Sequence, residues 1–174
     1  KKLFKISNKI NGKINLSSEK IYSSYSLIKS IESRIKFSNG NISIDQLLLN
    51  LGKLGAADVT GLINNDKKIN SDKKFTNVRF ESNIFIDNQK KFLSKFGIYN
   101  KKNIPSDFFV SGNFDLENLR ASFYEISGSE KLNDEDINFI EKEFNGLMLD
   151  DGLKNLFLFP KFKEFLKSAT SETN

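Results

Sequence analysis

Apolar and polar residues alternate along most of residues 1–126, and the alternation stops at turn-forming pairs. The block from Ile35 to Ile63 shows this best. Ile35, Phe37, Ile42 and Ile44 flank Asn39-Gly40, and Ala57, Val59, Gly61 and Ile63 follow a break at Gly52 and Gly55. A period of two places every second side chain on one face of a sheet. Asn-Gly between two such runs is the strongest short hairpin signal, because both residues tolerate positive φ. The pattern therefore predicts strand, tight turn, strand, turn, strand. The Leu47–Leu51 cluster continues the second strand or forms a helical turn, since leucine is also helix-prone.

The same rule extends in both directions. Residues 3–16, with Ile10, Ile14 and Leu16, read as a strand, and Ser17 to Ser26 as a polar loop or irregular edge. Asn64 to Lys74 is a lysine-rich loop. Val78, Phe80, Ser82, Ile84 and Ile86 form the cleanest strand. Asp87 or Asn88 caps a short helix over 89–96, which Gly97 closes. Phe108, Val110, Gly112, Phe114 and Leu116 alternate, and Leu119 to Ile126 is their partner after a turn at Glu117-Asn118. Apolar-x-Gly-x-apolar recurs at Ile10–Ile14, Val59–Ile63 and Val110–Phe114, a spacing that suggests repeated sheet modules.

The periodicity changes after residue 126. Asn133 caps a helix whose first turn holds Asp134, Glu135 and Asp136, where the helix dipole favours acid. Ile137, Ile140, Phe144 and Leu147 recur at helical spacing, and Gly146 suits the C-terminal cap. A second helix starts at Asp150 or Asp151. Pro160 opens a third that carries Phe162, Phe165 and Leu166. The fold class is mainly β with a helical C-terminal tail: an antiparallel-rich sheet segment over 1–126 with one apolar face, one short helix near 89–96, and two to three helices in 127–174 that pack on or cap the sheet.

Composition narrows the chemistry. The 174 residues suffice for a sizeable core in one domain. No histidine and no cysteine are present, which removes the commonest general base, the Ser-His-acid triad, thiolate metal sites and disulfides. Four Ser-x-x-Lys matches, beginning at Ser17, Ser26, Ser33 and Ser71, are what chance gives in a chain this rich in both residues. Calcium, Walker and dinucleotide motifs are missing. No catalytic, metal-binding or cofactor-binding residues are assigned, and the chain is expected not to be an enzyme. Gly52-Lys-Leu-Gly55 matches the Gly-x-x-Gly of nucleic-acid-clamping KH loops, but those join two helices, whereas a strand follows here.

Charge is uneven. Residues 1–125 hold 21 Lys/Arg against 12 Asp/Glu, net +9, and residues 126–174 hold 6 against 10, net −4. Lysine supplies 24 of the 27 basic residues, which fits solvated faces and sheet edges better than phosphate recognition. No run approaches the ~18–20 apolar residues of a membrane-spanning helix, and no signal-peptide pattern is present. The chain opens on Lys1 and is read as part of a longer protein.

The block Phe37-Ser-Asn-Gly-Asn-Ile-Ser-Ile44, followed by Leu51-Gly-Lys-Leu-Gly-Ala-Ala-Asp-Val-Thr-Gly-Leu-Ile63, resembles the C-terminal region of AsmA-like proteins. There, one strand ends in an Asn-Gly turn, the next carries a leucine patch, and a Gly-small-Val-x-Gly strand follows. The resemblance covers roughly residues 8–126 and is best at 31–63; the helical tail lies outside it. It implies a long, twisted and curved β-sheet with an apolar inner groove, periplasmic and anchored in the inner membrane of Gram-negative bacteria. It also implies a part in phospholipid passage or outer-membrane assembly. The partners implied are phospholipid or another envelope lipid, the inner membrane through an anchor outside this chain, and other envelope proteins. No catalytic set is implied.

On this reading Ile10, Ile14, Leu16, Ile35, Phe37, Ile42, Ile44, Val59, Ile63, Val78, Phe80, Ile84, Ile86, Val110, Phe114 and Leu116 share the face that meets lipid. The pattern alone equally allows them to be an ordinary core under helices. A structural or adhesive β-repeat module and a basic nucleic-acid-binding domain remain as alternative functions.

Overall fold

A computed structural model describes residues 10–21, 27–64, 77–99, 104–149 and 159–172. Seven antiparallel strands form one sheet in chain order: β1 (Gly12–Ser18), β2 (Ser30–Ser38), β3 (Asn41–Asn50), β4 (Gly55–Asn64), β5 (Asn77–Ile86), β6 (Asp107–Asp115) and β7 (Arg120–Ser127). Every strand pairs with its sequence neighbour. Three described helices accompany them: α1 (Gln89–Lys95) between β5 and β6, then α2 (Asp134–Leu149) and α3 (Phe159–Glu172). The mainly antiparallel sheet with a helical C-terminal part agrees with the sequence pattern.

Local chemistry explains most boundaries. Asn39 and Gly40 take φ of 50° and 84°, the left-handed pair that a two-residue hairpin between β2 and β3 needs. Leu51 N–H donates to Gly55 O at 2.9 Å and Gly52 N–H to Asn50 Oδ1 at 2.7 Å, which folds Gly52–Leu54 into a single 3-10 turn between β3 and β4. Gly52-Lys-Leu-Gly55 is therefore a strand-to-strand loop, unlike a KH clamp. Asn88 caps α1 by accepting from Lys91 N–H at 2.9 Å, and Gly97, at φ 67°, ends it. Asn133 caps α2 in the same way, through Asp136 N–H at 2.8 Å.

Four boundaries differ from the sequence reading. Ser17 and Ser18 belong to β1, paired with Glu32 and Ile31, so the expected loop starts later. Ile10 lies before β1. Asn11 Oδ1 there accepts from Asn39 N–H at 2.9 Å, tying the start of the strand to the neighbouring hairpin. Leu116 lies in the β6–β7 turn, outside the alternation. Asp115 makes that turn, accepting from the Glu117 and Asn118 backbone N–H groups at 2.8 and 3.1 Å and from Asn118 Nδ2 at 2.6 Å. Finally, Gly146 does not end α2. The helix runs on to Leu149 because Met148, only 2% exposed, continues its buried stripe. Asn64 ends β4; the rest of the loop expected over 64–74, the start of the strand expected over 3–16, the loop expected over 22–26 and the helix expected from 150 lie outside the described residues.

Burial pushes the Asp115 carboxyl up, but its hydrogen bonds from the Asn118 side chain and the two backbone N–H groups outweigh that and hold it below the ordinary carboxylate range. A lowered folded pKa stabilises above the ordinary value of 3.8, and that contribution is lost as pH falls through the folded pKa. Asp115→Asn should therefore lower the thermal midpoint at neutral pH, and the gap to wild type should close in acid. A melting series from pH 7 to pH 2 checks this; a constant gap would contradict it.

The main buried cluster sits at one end of the sheet. Leu27, Leu54, Ile86, Phe92, Leu93, Phe96 and Ile98 form it, with Leu51, Ile104, Phe108 and Leu166 packed against it. It joins the β3–β4 turn, the end of β5, the apolar side of α1, the start of β6 and α3.

Candidate lipid-facing surface

Strand register decides which side chains share a face, because directly opposed residues in an antiparallel pair point the same way. Ile14 opposes Ile35, and Leu16 opposes Ser33. Ile35 then opposes Ile44, and Phe37 opposes Ile42. Next, Ile42 opposes Ile63, Ile44 opposes Gly61 and Leu47 opposes Val59. Across β4 and β5, Val59 opposes Ser82, Gly61 opposes Phe80 and Ile63 opposes Val78, with Ile84 and Ile86 in line. Val78 opposes Phe114 and Ser82 opposes Val110. Fourteen of the sixteen residues singled out in the sequence thus lie on one continuous face across β1 to β6. Ile10 and Leu116, outside their strands, do not.

The register adds residues that the alternation hid. In β3 the pairing slips between Ile44 and Leu47, so Asp45 is an extra residue in the ladder. The slip changes the phase of the strand. Ile42 and Ile44 before it, and Leu47 and Leu49 after it, all reach the apolar face. Arg34 Nη2 donates to Gln46 Oε1 at 2.5 Å beside the bulge, on the opposite, polar side. A second slip in β7, at Tyr124, brings Ala121, Phe123 and Ile126 to the same face. Neither slip follows from periodicity, which assumes an unbroken count of two.

One glycine of the apolar-x-Gly-x-apolar repeat, Gly112, has a packing role here. Gly61 and Gly112 flank Phe80 on the neighbouring strands. A Cβ on Gly112 would stand 2.4 Å from Ser122 O and 3.1 Å from Phe80 Cζ. Gly112 leaves room for the Phe80 ring. That ring meets Phe123 edge-on at 6.3 Å, Phe123 meets Phe144 at 5.4 Å, and Phe144 meets Phe165 at 5.9 Å. Each contact has the favoured T-shaped geometry. This aromatic chain joins the sheet to α2 and α3.

The helices cover the face unevenly. α2 meets the sheet at β7, α3 packs on α2, and α1 meets the Gly52–Leu54 turn. α2 also closes the β7 edge. Asn145 accepts from Ala121 N–H at 2.8 Å and donates to Ala121 O at 2.9 Å, imitating a strand neighbour, and Glu141 accepts from Phe123 N–H at 3.0 Å. Over β2 to β4 the picture differs. Ile31, Ile35, Phe37, Ile44, Leu47 and Val59 are half-buried and Ile42 and Ser33 are buried, whereas on β1 Ile14 and Leu16 are 44% and 54% exposed. The β7 side of the face is an ordinary core; the β1 side is an open apolar surface among the described residues.

The other face of the sheet is polar, with Lys13, Arg34, Lys36, Thr60, Arg79, Glu81 and Asn83 on it, and Leu62 and Phe85 as exposed apolar exceptions. Among the described residues, no group of three acidic, histidine or cysteine side chains is placed to hold a metal, and no helix is long and apolar enough to cross a membrane. No protein-family model, no curated protein and no solved structure matches the chain.

Proposed function

We propose that this chain is a non-catalytic, periplasmic segment of an AsmA-like envelope protein, and that the open part of its apolar sheet face guides phospholipid acyl chains. The observation that carries this reading is the shape of the apolar face. It runs across the strands without a polar interruption larger than serine, and among the described residues the helices cover its β7 side and the end at Ile86 and Phe108, leaving the β1 side exposed. An apolar surface over β1 to β4 can exchange water for acyl chain at ~0.8 kcal/mol per CH₂. The polar opposite face stays in water. The lack of histidine and cysteine, and the resemblance at residues 31–63, support the same reading. The inner membrane, through an anchor outside this chain, and other envelope proteins are its proposed partners.

Binding of NBD-labelled phosphatidylethanolamine tests this. The wild-type chain should raise the probe's fluorescence. Ile35→Lys with Ile44→Lys, which sets two charges on the open face, should weaken binding at least about tenfold. Leu62→Lys, on the polar face, should leave it unchanged. Equal binding by all three proteins, with unaltered circular dichroism, would overturn the proposal, as would no binding by the wild-type chain.

A further inference from the structure

We propose that the corner of the molecule around α1 docks on a bilayer that carries anionic lipids. Five lysines meet there from four parts of the chain. Lys90 and Lys91 stand on α1, and Lys53 on the 3-10 turn that α1 packs against; all three are exposed. Lys29, also exposed, lies along that turn, its Cγ 3.3 Å from where a Cβ on Gly52 would stand. Lys163 of α3 reaches the C-terminal end of α1, its Nζ 3.2 Å from the same position on Gly97. Asp87 and Asp107 stand against them, two acids to five lysines.

Local stability does not account for these charges. Lys90 and Lys91 sit in the first turn of α1, where the helix dipole disfavours cations, and that turn holds no acid. α2 shows the ordinary arrangement, with Asp134, Glu135 and Asp136 in its first turn. Those acids follow β7, three to four strands from the β3–β4 turn, about 14–19 Å at the usual strand spacing and beyond the screening length of ~8 Å. Tyr99 follows α1 and is 71% exposed. An aromatic ring with a polar tip beside clustered lysines suits the headgroup layer of a membrane. Nucleic-acid phosphates suit the patch less, because lysine lacks the bidentate fork of arginine, and Arg34, Arg79 and Arg120 all lie on strands instead.

Strands added before β1 would extend the sheet sideways, away from α1, and leave this corner as it is. Docking by charge is also separate from acyl binding by the apolar face. It shares a bilayer with the proposed function but does not rest on it.

The chain has no tryptophan, so Tyr99→Trp reports on the corner alone. With vesicles of equal parts phosphatidylglycerol and phosphatidylcholine at low salt, its emission should shift to the blue, and that of Tyr124→Trp on β7 should not. Each lysine near such a surface strengthens binding about fivefold, so Lys53→Gln, Lys90→Gln and Lys91→Gln together should weaken it about a hundredfold. Lys13→Gln, Lys36→Gln and Lys142→Gln, an equal loss of charge elsewhere, should leave it within about threefold. Far-UV circular dichroism shows that each variant keeps its fold. No shift with these vesicles overturns the proposal, as does equal weakening by the two lysine sets, which would mean that net charge alone acts. Blue emission from Tyr99→Trp before vesicles are added overturns it too, since the chain would then cover the site. So does equal docking on phosphatidylcholine alone, or a tighter hold on an RNA oligonucleotide than on the vesicles. If docking holds while NBD-labelled phosphatidylethanolamine fails to bind, the proposed function falls and this proposal stands.

Discussion

Phe96→Ala is expected to lower stability by about 3–5 kcal/mol, a large share of what holds a domain of this size together. Phe96 has 0% exposure. Its ring lies 5.0 Å from that of Phe92 and in one cluster with Leu54, Ile86 and Ile98, with Leu166 packed against them. That cluster is where α1, α3 and three strand ends meet, so a cavity there loosens several elements at once. Relaxation is limited, because Gly97 N–H bonds to Ser94 O and Ile98 N–H to Leu93 O, each at 3.0 Å, and fix the backbone on either side of the ring. Urea unfolding followed by circular dichroism measures the loss. A midpoint within error of wild type would show that the ring does not hold these elements together.

Gly55→Ala should be about as damaging, for a reason of backbone rather than volume. Gly55 has φ 139° and ψ −153°, a conformation that only glycine adopts readily. Strain of that kind costs about 1–3 kcal/mol. A Cβ would also stand 1.9 Å from Phe85 O on β5, which is backbone and cannot step aside. The β4–β5 ladder must open at Gly55–Ile86 or the turn must refold. Gly146→Ala is the matched control: nothing lies within 4 Å of a Cβ there, and alanine in the interior of α2 should stabilise by up to about 1 kcal/mol. Thermal melts of the two variants should move in opposite directions. Equal shifts would contradict the account.

The sequence made the sheet legible because most of its strands obey the count of two, and because Asn39-Gly40, Asn88 and Asn133 act through neighbours only a few residues away. What it hid is tertiary. Asp45 and Tyr124 shift the phase of their strands, and only cross-strand pairing shows that Leu47, Leu49 and Ile126 share a face with Ile44 and Phe123. Asn145 and Glu141 look like ordinary polar positions on an amphipathic helix, yet they serve as the last neighbour of β7. Gly146 misleads for the opposite reason: a local cap signal yields to the burial of Met148. Whether the apolar face is core or open surface was undecidable from the pattern, and the answer divides along the sheet. Phe123 lies under Phe144, while Ile14 and Leu16 stand in the open.

Photo-crosslinking tests the central claim most directly. A benzophenone side chain is placed at Ile44 on the open apolar face or at Leu62 on the polar face, and the chain is irradiated with vesicles of phosphatidylethanolamine and phosphatidylglycerol. The account predicts a phospholipid adduct at Ile44, identified by mass spectrometry, and none at Leu62. Adducts of equal yield at both positions, or none at Ile44, would contradict it.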